Sequence, residues 1–221
     1  MLNNFLQFIK KTIVSSQFFW KYRDLFNKKW LTNTVFENKF FFNKQIIRIS
    51  SKLPKKLILD FGCGASSTLL QFAKKYDAIC YGIDINKEAV RFSSNLFIRN
   101  DIKNFFFTNL INKKHIRHFL NKNNYKVFDI VIADRVFYSL PNKILKNFLD
   151  LIKNYAKYII IDDFFDKDRK FNKYFNYKHR DYDKIMNNLG FNLVSTHDTF
   201  HLNKNLSNGL LCLYLKKNNP K

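Results

Sequence analysis

The chain has 221 residues, 46% of them hydrophobic, which suits one globular domain and excludes an intrinsically disordered protein. Its formal net charge of +22 raises its affinity for polyanions, so nucleic acids and anionic membranes are candidate partners. The lysines, however, are spread along the whole chain, and Lys, Asn, Phe and Ile all have AT-rich codons. A biased genome therefore explains the same excess, and both explanations stay open.

The three cysteines lie far apart, with no CxxC spacing among them. Cys80 and Cys212 fall in apolar runs, where a buried thiol packs as a small hydrophobic group, and Cys63 lies in a glycine-containing turn. An odd count without a disulfide pattern fits a reducing compartment. No apolar run is long enough for a signal peptide or a membrane span, so we expect a soluble, cytoplasmic protein.

Residues 1–50 have the apolar spacing of helices, and no Pro or Gly occurs before Pro54. We interpret 1–50 as an N-terminal helical extension and 51–221 as the main domain. The helix predicted at 2–14 is amphipathic, and its apolar side either packs on the domain or lies on an anionic membrane.

From Lys56 onwards, short apolar runs alternate with amphipathic segments. The predicted strands are 57–59, 79–83, 105–107, 128–133 and 158–161. The predicted helices between and after them are about 66–75, 87–97, 113–120 and 141–155. This alternation indicates a parallel sheet with helices on both faces. Runs such as Ile130-Val131-Ile132 lack alternating polar residues, as expected for strands buried on both sides.

The last part of the chain has a different pattern. A short helix at 182–189 is ended by Gly190, and two strands, 191–195 and 210–215, follow with no helix between them. Such a pair is a hairpin appended to the parallel sheet. The predicted fold class is therefore α/β: a doubly wound, seven-stranded, mainly parallel sheet with a C-terminal antiparallel hairpin.

The turn after the first predicted strand carries the most informative motif. Gly62 and Gly64 let the backbone approach a ligand closely. The second strand ends at Asp84, twenty residues beyond Gly64, where a carboxylate of a doubly wound sheet can accept both ribose hydroxyls. Together these features indicate a nucleoside-binding half of the fold.

The same residues discriminate between cofactors. A dinucleotide site requires G-x-G-x-x-G, but Ser67 occupies the third glycine position. Asp60 would repel a pyrophosphate, whereas it suits the cationic methionine end of S-adenosylmethionine. The motif therefore favours the methyl donor. The structural alternatives are that Asp60 caps the turn and that Asp84 caps the next helix.

Residues 60–66 (DFGCGAS) resemble motif I of the class I S-adenosylmethionine-dependent methyltransferases, with Ala65-Ser66 in place of Thr-Gly or Ser-Gly. Residues 128–141 (FDIVIADRVFYSLP) resemble the fourth strand and following loop of that family, and Gly190-Phe191 resembles its ending. The resemblance covers about 55–216. Ser139 stands where the family commonly has His, which puts a catalytic role for that position in doubt.

The resemblance implies a Rossmann-like domain that binds S-adenosyl-L-methionine. Asp84 matches the family's ribose-binding acid, Ile85 the apolar residue beside the adenine, and Asn109 is the candidate near the adenine because the expected acid of the third strand is missing. The expected cofactor-binding residues are Asp60, Gly62, Cys63, Gly64, Ala65, Asp84, Ile85, Asn109 and Ala133. Asp129 is expected to be structural and to point away from the site.

Methyl transfer from a sulfonium requires alignment of the acceptor and exclusion of water, and it needs a base only if the nucleophile carries a proton. The candidate bases lie at the ends of the fourth and fifth strands or shortly after: Asp134, Tyr138, Asp162, Asp163 and His179. Asp134 and His179 are our catalytic candidates, and each of the five has the alternative role of a pocket-wall or structural residue.

A metal site is a separate hypothesis. Asp134, Asp162 and Asp163 end adjacent strands and would suit a hard cation such as Mg²⁺, in a way that resembles catechol-type O-methyltransferases. The alternative is that Asp134 lines the cofactor pocket and that Asp162-Asp163 merely end a strand. We adopt this alternative and expect no metal ligands.

The acceptor is the least determined feature. Aromatic and basic residues alternate in 164–180, where the family builds its acceptor pocket, and they suit either a small apolar substrate or stacked RNA bases. We expect a small-molecule acceptor, methylated at O, N or C. The alternatives are an RNA methyltransferase and a non-catalytic binding protein that keeps the fold.

Overall fold

A seven-stranded sheet with helices on both faces makes up most of the computed structural model, which describes residues 21–22, 41–164, 180–199 and 209–217. The strands are β1 (Leu57–Phe61), β2 (Ile79–Ile83), β3 (Phe105–Thr108), β4 (Phe128–Asp134), β5 (Ala156–Phe164), β6 (Phe191–Thr199) and β7 (Gly209–Lys216). The helices are α1 (Phe41–Ile49), α2 (Ser67–Tyr76), α3 (Lys87–Arg99), α4 (Lys113–Lys122), α5 (Asn142–Ile152) and α6 (Tyr182–Asn188). Short 3₁₀ turns occupy Ser50–Lys52 and Phe137–Ser139.

The strand order is β3-β2-β1-β4-β5-β7-β6. The first five strands in this order run parallel to their neighbours, and β7 pairs antiparallel with both β5 and β6. The chain moves outwards from β1 to β3 and then returns to the other side of β1 with β4. The carboxyl ends of β1 and β4 therefore flank a topological switch point, where open α/β sheets form their ligand crevice.

Alternate residues of each central strand face opposite helical layers. Leu59, Val131 and Ile161 pack in one buried cluster with residues of α4, α5 and α6. Ile58, Ile132 and Ile160 pack in the other with residues of α1, α2 and α3. The strands are thus buried on both sides, as predicted, and the site residues at their ends are divided between the two faces by the same alternation.

Asn or Asp side chains begin three of the helices. The Asn86 side chain accepts hydrogen bonds from the N–H groups of Glu88 and Ala89 at the start of α3. Asn112 accepts one from Lys114 at the start of α4, and Asp181 accepts one from Lys184 at the start of α6. Each satisfies backbone donors that a helix leaves unpaired at its first turn.

The predicted fold class is confirmed. Every predicted strand is present, including the hairpin, although β5 and β6 are longer than predicted and α5 ends at Ile152 instead of near Tyr155. Of the 1–50 extension, the structure describes α1, whose Ile46 and Ile47 are buried in the α1–α3 cluster. The helix predicted at 2–14 lies outside the described residues.

Cys63, Cys80 and Cys212 are all buried, and none of them forms a disulfide. The burial of Cys80 and Cys212 agrees with the prediction from their apolar runs. None of the helices in the described part of the chain has the length and apolarity that a membrane crossing requires.

Candidate active site

The glycine turn after β1 is held against the end of β2. The N–H groups of Gly62 and Cys63 both donate to the carbonyl of Ile83, at 2.7 and 3.0 Å. Gly62 and Gly64 have φ values of +77° and +51°, in the left-handed region that favours glycine. The turn that carries four of the predicted cofactor residues is therefore fixed by backbone hydrogen bonds.

Asp84 joins this turn to the start of α3. Its Oδ2 accepts a hydrogen bond from the Gly64 N–H at 2.8 Å, and its Oδ1 accepts one from the Asn86 N–H at 2.8 Å. Asn86, and not Asp84, is the N-cap of α3. The capping alternative for Asp84 was therefore wrong. The Asp84 side chain is only half-buried, so its carboxylate is accessible at the crevice.

Ser93 supports the same turn from α3. Its hydroxyl donates to the Gly64 carbonyl at 3.0 Å, and the residue is fully buried. Gly64 is therefore held through both its N–H and its carbonyl, by two residues that lie on either side of the Asn86 cap. Ser93 has no recognisable sequence signal, because an isolated serine within an amphipathic helix is common.

Three carboxylates lie on one face of the sheet at the ends of β1, β4 and β5. Asp60 stands opposite Ile132 in the β1–β4 pairing, and Asp134 stands opposite Asp162 in the β4–β5 pairing. Side chains at even-numbered positions of these strands share a face, so Asp60, Asp134 and Asp162 point to the same layer. Asp60 is 4% exposed and Asp162 is fully buried.

Burial and mutual repulsion change the protonation of this group. Burial raises the pKa of Asp60 well above its ordinary value, and the carboxylates of Asp134 and Asp84 raise it further. Burial also raises the pKa of Asp134 to about 7, with Asp162 adding to the effect and Arg135 opposing it. A cation bound beside Asp60 and Asp134 would offset these shifts, because an opposite charge favours the ionised carboxylate.

The segment after β4 has an unusual backbone. Arg135 has a φ of +54°, its N–H donates to the Asp162 carbonyl at 2.7 Å, and its Nε lies 3.5 Å from Asp162 Oδ1. A left-handed conformation in a residue with a side chain is strained and is typical of functional loops. Val136 follows and lies against Gly62: a Cβ at Gly62 would be 2.2 Å from Val136 Cγ2. Gly62 is therefore needed for packing as well as for the turn.

The other predicted cofactor residues also lie at or near the carboxyl ends of the strands. Cys63, Ala65 and Ala133 are buried, at 8%, 1% and 1% exposure. Ile85, at the end of β2, is 40% exposed, and Asn109 directly follows β3 and is half-buried. Because Ile83 pairs with Thr108, the structure brings Ile85 and Asn109 to neighbouring strand ends, together with exposed Leu110 and Ile111.

The two catalytic candidates have different outcomes. Asp134 lies at the carboxyl end of β4, within the acidic group, and Tyr138 is buried in the 3₁₀ turn that follows. His179 lies outside the described residues, as do 165–179 of the aromatic and basic segment. Ser139, at the position where the family commonly has His, donates to the Val136 carbonyl at 2.8 Å and so stabilises the loop.

The three acids of the metal hypothesis do not share one face of the sheet. Within 41–164, 180–199 and 209–217, no group of three or more His, Cys, Asp or Glu side chains is arranged to hold an ion. Asp162 and Asp163 are adjacent in β5 and therefore point to opposite faces. Asp162 pairs with Arg135, and Asp163 accepts a hydrogen bond from the Tyr182 hydroxyl.

Asp129 is turned away from the site, as predicted. Its Oδ2 accepts hydrogen bonds from the N–H groups of Lys56 and Leu57, at 2.9 and 3.2 Å. These groups lie where β1 begins, at the opposite end of the strand from the glycine turn. Asp129 therefore fixes the entry of the chain into the central strand.

Comparisons with known proteins agree with this geometry. A family model described as a methyltransferase domain matches residues 52–192. Magnesium protoporphyrin IX methyltransferase from Synechocystis PCC 6803, solved with S-adenosylhomocysteine, is 17% identical, with a TM-score of 0.66 over 94% of this chain and 99% of that one.

Two further solved structures share the fold. The N-methyltransferase NodS from Bradyrhizobium japonicum WM9 is 12% identical, with a TM-score of 0.59 over 80% of this chain and 94% of that one. A proposed RNA methyltransferase from Pyrococcus horikoshii is 15% identical, with a TM-score of 0.55 over 80% of this chain and 82% of that one. With the family model covering more than half of the chain, the protein belongs to the methyltransferase-domain family and is a class I S-adenosylmethionine-dependent methyltransferase.

Proposed function

We propose that this enzyme methylates an O, N or C nucleophile of a small-molecule acceptor, using the crevice between the carboxyl ends of β1, β2 and β4. The observation that carries the proposal is the glycine turn held by Asp84 beside the buried carboxylate of Asp60. We also propose that the catalytic domain spans 51–221 after a helical extension at 1–50, and that the protein works in the cytoplasm.

The residues of this crevice fit the cofactor. The half-buried carboxylate of Asp84 would accept the ribose hydroxyls while keeping its bonds to Gly64 and Asn86. Exposed Ile85 and half-buried Asn109 would flank the adenine. Asp60 and Asp134, whose pKa values are raised in the absence of a neutralising ligand cation, would lie toward the positively charged methionine end. Cys63, Ala65 and Ala133 would form the small, buried wall behind it.

Bound S-adenosylmethionine supplies a methyl group on a cationic sulfur that is also its leaving group. The chain's own residues then have to orient the acceptor and exclude water. Asp134 is our candidate base, because its carboxyl lies at the end of β4, beside the proposed position of the reacting methionine end. His179 stays a second candidate on sequence grounds.

The acidic character of the site supports a small acceptor over RNA. Asp60, Asp134 and Asp162 lie together at the strand ends, and acids do not bind a nucleic-acid phosphate as Lys and Arg do. The net charge of +22 favours the RNA alternative, and the fold is shared with enzymes of both kinds. The two alternatives differ in where the methyl group is found after reaction.

Calorimetric titration with S-adenosylmethionine and S-adenosylhomocysteine tests the cofactor assignment. Wild type should bind both, and Asp84→Asn should bind each at least tenfold more weakly, because the amide offers one acceptor oxygen in place of two. Asp77→Asn is the matched control: the same change at an exposed residue that ends α2, remote from the turn. Equal loss in both variants, or none in Asp84→Asn, would contradict the assignment.

Radiolabelled methyl donor then distinguishes the acceptors. The enzyme is incubated separately with total RNA and with a filtered small-molecule extract, and the label is followed into each fraction. Label in the small-molecule fraction that is lost in Asp134→Asn supports the proposal. Label that appears only in RNA would overturn the small-molecule assignment while leaving the cofactor site intact.

A further inference from the structure

The loop between β4 and α5 depends on a residue that lies far away in the sequence. Residues 135–141 leave β4 through the strained Arg135, form the 3₁₀ turn Phe137–Ser139 and enter α5 at Asn142. Phe137 is 1% exposed and Tyr138 6%, so the loop is anchored by burial of its rings. Within the loop, the Phe137 carbonyl accepts a hydrogen bond from the Leu140 N–H at 3.1 Å, and the Val136 carbonyl accepts one from the Ser139 N–H at 3.1 Å. These short-range bonds shape the turn but do not attach it to the rest of the chain.

Arg180 supplies that attachment. Its Nη1 donates to the Phe137 carbonyl, and its Nη2 donates to the Leu140 carbonyl at 2.5 Å and to Asn142 Oδ1 at 3.0 Å. One guanidinium group thus bridges the beginning and the end of the loop. The planar fork of arginine allows such bridging, which the single ammonium of lysine does not reproduce.

Tyr182, two residues after Arg180, fixes the position of Arg180. The Tyr182 hydroxyl donates to Asp163 Oδ2 at the end of β5, and Asp163 is 3% exposed. The start of α6 is thereby attached to the sheet. Arg180 is presented to the loop from a fixed support, so its hydrogen bonds restrain the loop instead of merely following it.

The loop in turn contacts the cofactor turn. Val136 lies between Arg135 and the Phe137 carbonyl that Arg180 holds, and its side chain occupies the space beside Gly62. The space is so tight that a single added methyl group at Gly62 would overlap Val136 Cγ2. Movement of the loop would therefore release the glycine turn on the side opposite the Ile83 carbonyl.

We infer that Arg180 is a positioning residue of the cofactor site, which holds the β4–α5 loop so that Val136 packs on the Gly62 turn. The inference rests on the proposed role of that turn in cofactor binding. The hydrogen bonds of Arg180 described above end on Phe137, Leu140 and Asn142, and not on the turn itself. The effect of Arg180 on the cofactor site passes through the loop. We therefore expect the effects of substituting Arg180 and Val136 on cofactor affinity to be coupled.

A double-mutant cycle measured by calorimetry with S-adenosylhomocysteine tests the coupling. Arg180→Ala should weaken binding of S-adenosylhomocysteine about tenfold, because the loop loses its charged donor but the backbone hydrogen bonds of the glycine turn remain. Val136→Ala should weaken it by a similar factor. The double variant should bind S-adenosylhomocysteine with the same affinity as the single variant that binds it less tightly, because both substitutions act through one contact.

Arg117→Ala is the matched control. Arg117 also donates to another part of the chain, the Tyr155 hydroxyl at 2.9 Å. This hydrogen bond lies where β5 begins, at the opposite end of the strand from Asp163. Its loss should leave the affinity for S-adenosylhomocysteine unchanged. Adding low concentrations of methylguanidinium should restore binding in Arg180→Ala, which a variant weakened by general destabilisation would not show.

The outcomes separate the two proposals. Failure of wild type to bind S-adenosylhomocysteine would contradict the proposed cofactor site itself. Normal binding by Arg180→Ala, or additive losses in the double variant, would overturn the positioning role while the cofactor site stood. Loss in Arg180→Ala that is equalled in Arg180→Lys and reversed by methylguanidinium would support the need for the guanidinium fork.

Discussion

Asp134 and Asp162 stand opposite each other at the ends of β4 and β5, with their carboxylates on the same face of the sheet. Arg135 is the cation beside them, and its Nε lies 3.5 Å from Asp162 Oδ1. One positive charge thus faces two acids. Burial raises the pKa of Asp134 to about 7, and the Asp162 carboxylate raises it further while Arg135 opposes the shift.

This pKa predicts a pH-dependent loss of stability. The ordinary value of 3.8 applies to the unfolded chain, so between about pH 4 and 7 the folded chain binds a proton that the unfolded chain has lost. The free energy of unfolding should therefore fall as the pH rises through this range, by about 1–3 kcal/mol for this group. Asp134→Asn should remove the contribution of this group, so that the stability of the variant relative to wild type increases from pH 5 to pH 8.

Urea unfolding of wild type and Asp134→Asn at pH 5, 6, 7 and 8 measures the effect, and Asp77→Asn controls for the change at an exposed site. A constant difference between wild type and Asp134→Asn at all four pH values would show that Asp134 does not titrate in this range.

Gly62 should tolerate no side chain. Gly62→Ala places a methyl group 2.2 Å from Val136 Cγ2 at a φ of +77°, so it combines a clash with backbone strain. The expected destabilisation is about 2–4 kcal/mol, with loss of S-adenosylhomocysteine binding. Thermal unfolding and calorimetry measure the two effects separately.

Gly190→Ala is the control that separates clash from strain. Gly190 has a similar φ of +81°, but its added Cβ would meet only the flexible end of Lys216, at 3.3 Å. Strain alone predicts a loss of about 1–2 kcal/mol there. Val136→Ala in the Gly62→Ala background should recover the difference between the two, and no recovery would show that Val136 is not the obstacle.

The sheet could be predicted from the sequence because its strands are uninterrupted apolar runs. Ile79–Ile83 has the bounds that periodicity predicted, and even the weak Phe105 strand is present at the edge of the sheet. Asp60, the two glycines and Asp84 were also recognisable, because a strand, a glycine turn and a second strand set their order. Local sequence is sufficient where one turn brings the residues together.

The rest of the site depends on contacts between distant segments. Arg180 reaches the loop after β4 across about forty residues, and Ser93 bonds Gly64 from the middle of a helix. Neither leaves a pattern in the sequence, because one arginine or serine among many has no distinguishing spacing. The left-handed Arg135 was equally unpredictable, since its conformation is imposed by the Asp162 carbonyl and not by its own preference.

Magnesium should have no effect on this enzyme's cofactor site. Asp162 and Asp163 point to opposite faces of β5 and are engaged by Arg135 and Tyr182, respectively. We expect the melting temperature and the affinity for S-adenosylhomocysteine to be the same with Mg²⁺ and with EDTA. A rise in melting temperature with Mg²⁺ that is lost in Asp162→Asn would instead support the metal hypothesis.

Asp60 and Asp129 should respond in opposite ways to the same substitution. Asp129 accepts two backbone hydrogen bonds at the start of β1, so Asp129→Asn should cost about 1–2 kcal/mol of stability and leave cofactor affinity unchanged. Asp60 is a buried acid whose pKa is raised by burial and by neighbouring acids. Asp60→Asn removes that cost and should stabilise the free protein, yet weaken binding of the cationic methyl donor.

Urea unfolding measures the stability of both variants, and calorimetry measures their affinity for S-adenosylmethionine. The two results for Asp60→Asn, a gain in stability and a loss of affinity, are the most informative. An acid that is kept at a cost to stability is explained by a ligand that it binds. If Asp60→Asn were both less stable and unaltered in cofactor affinity, Asp60 would serve the turn alone. The preference of this site for a cationic cofactor would then have to come from Asp134.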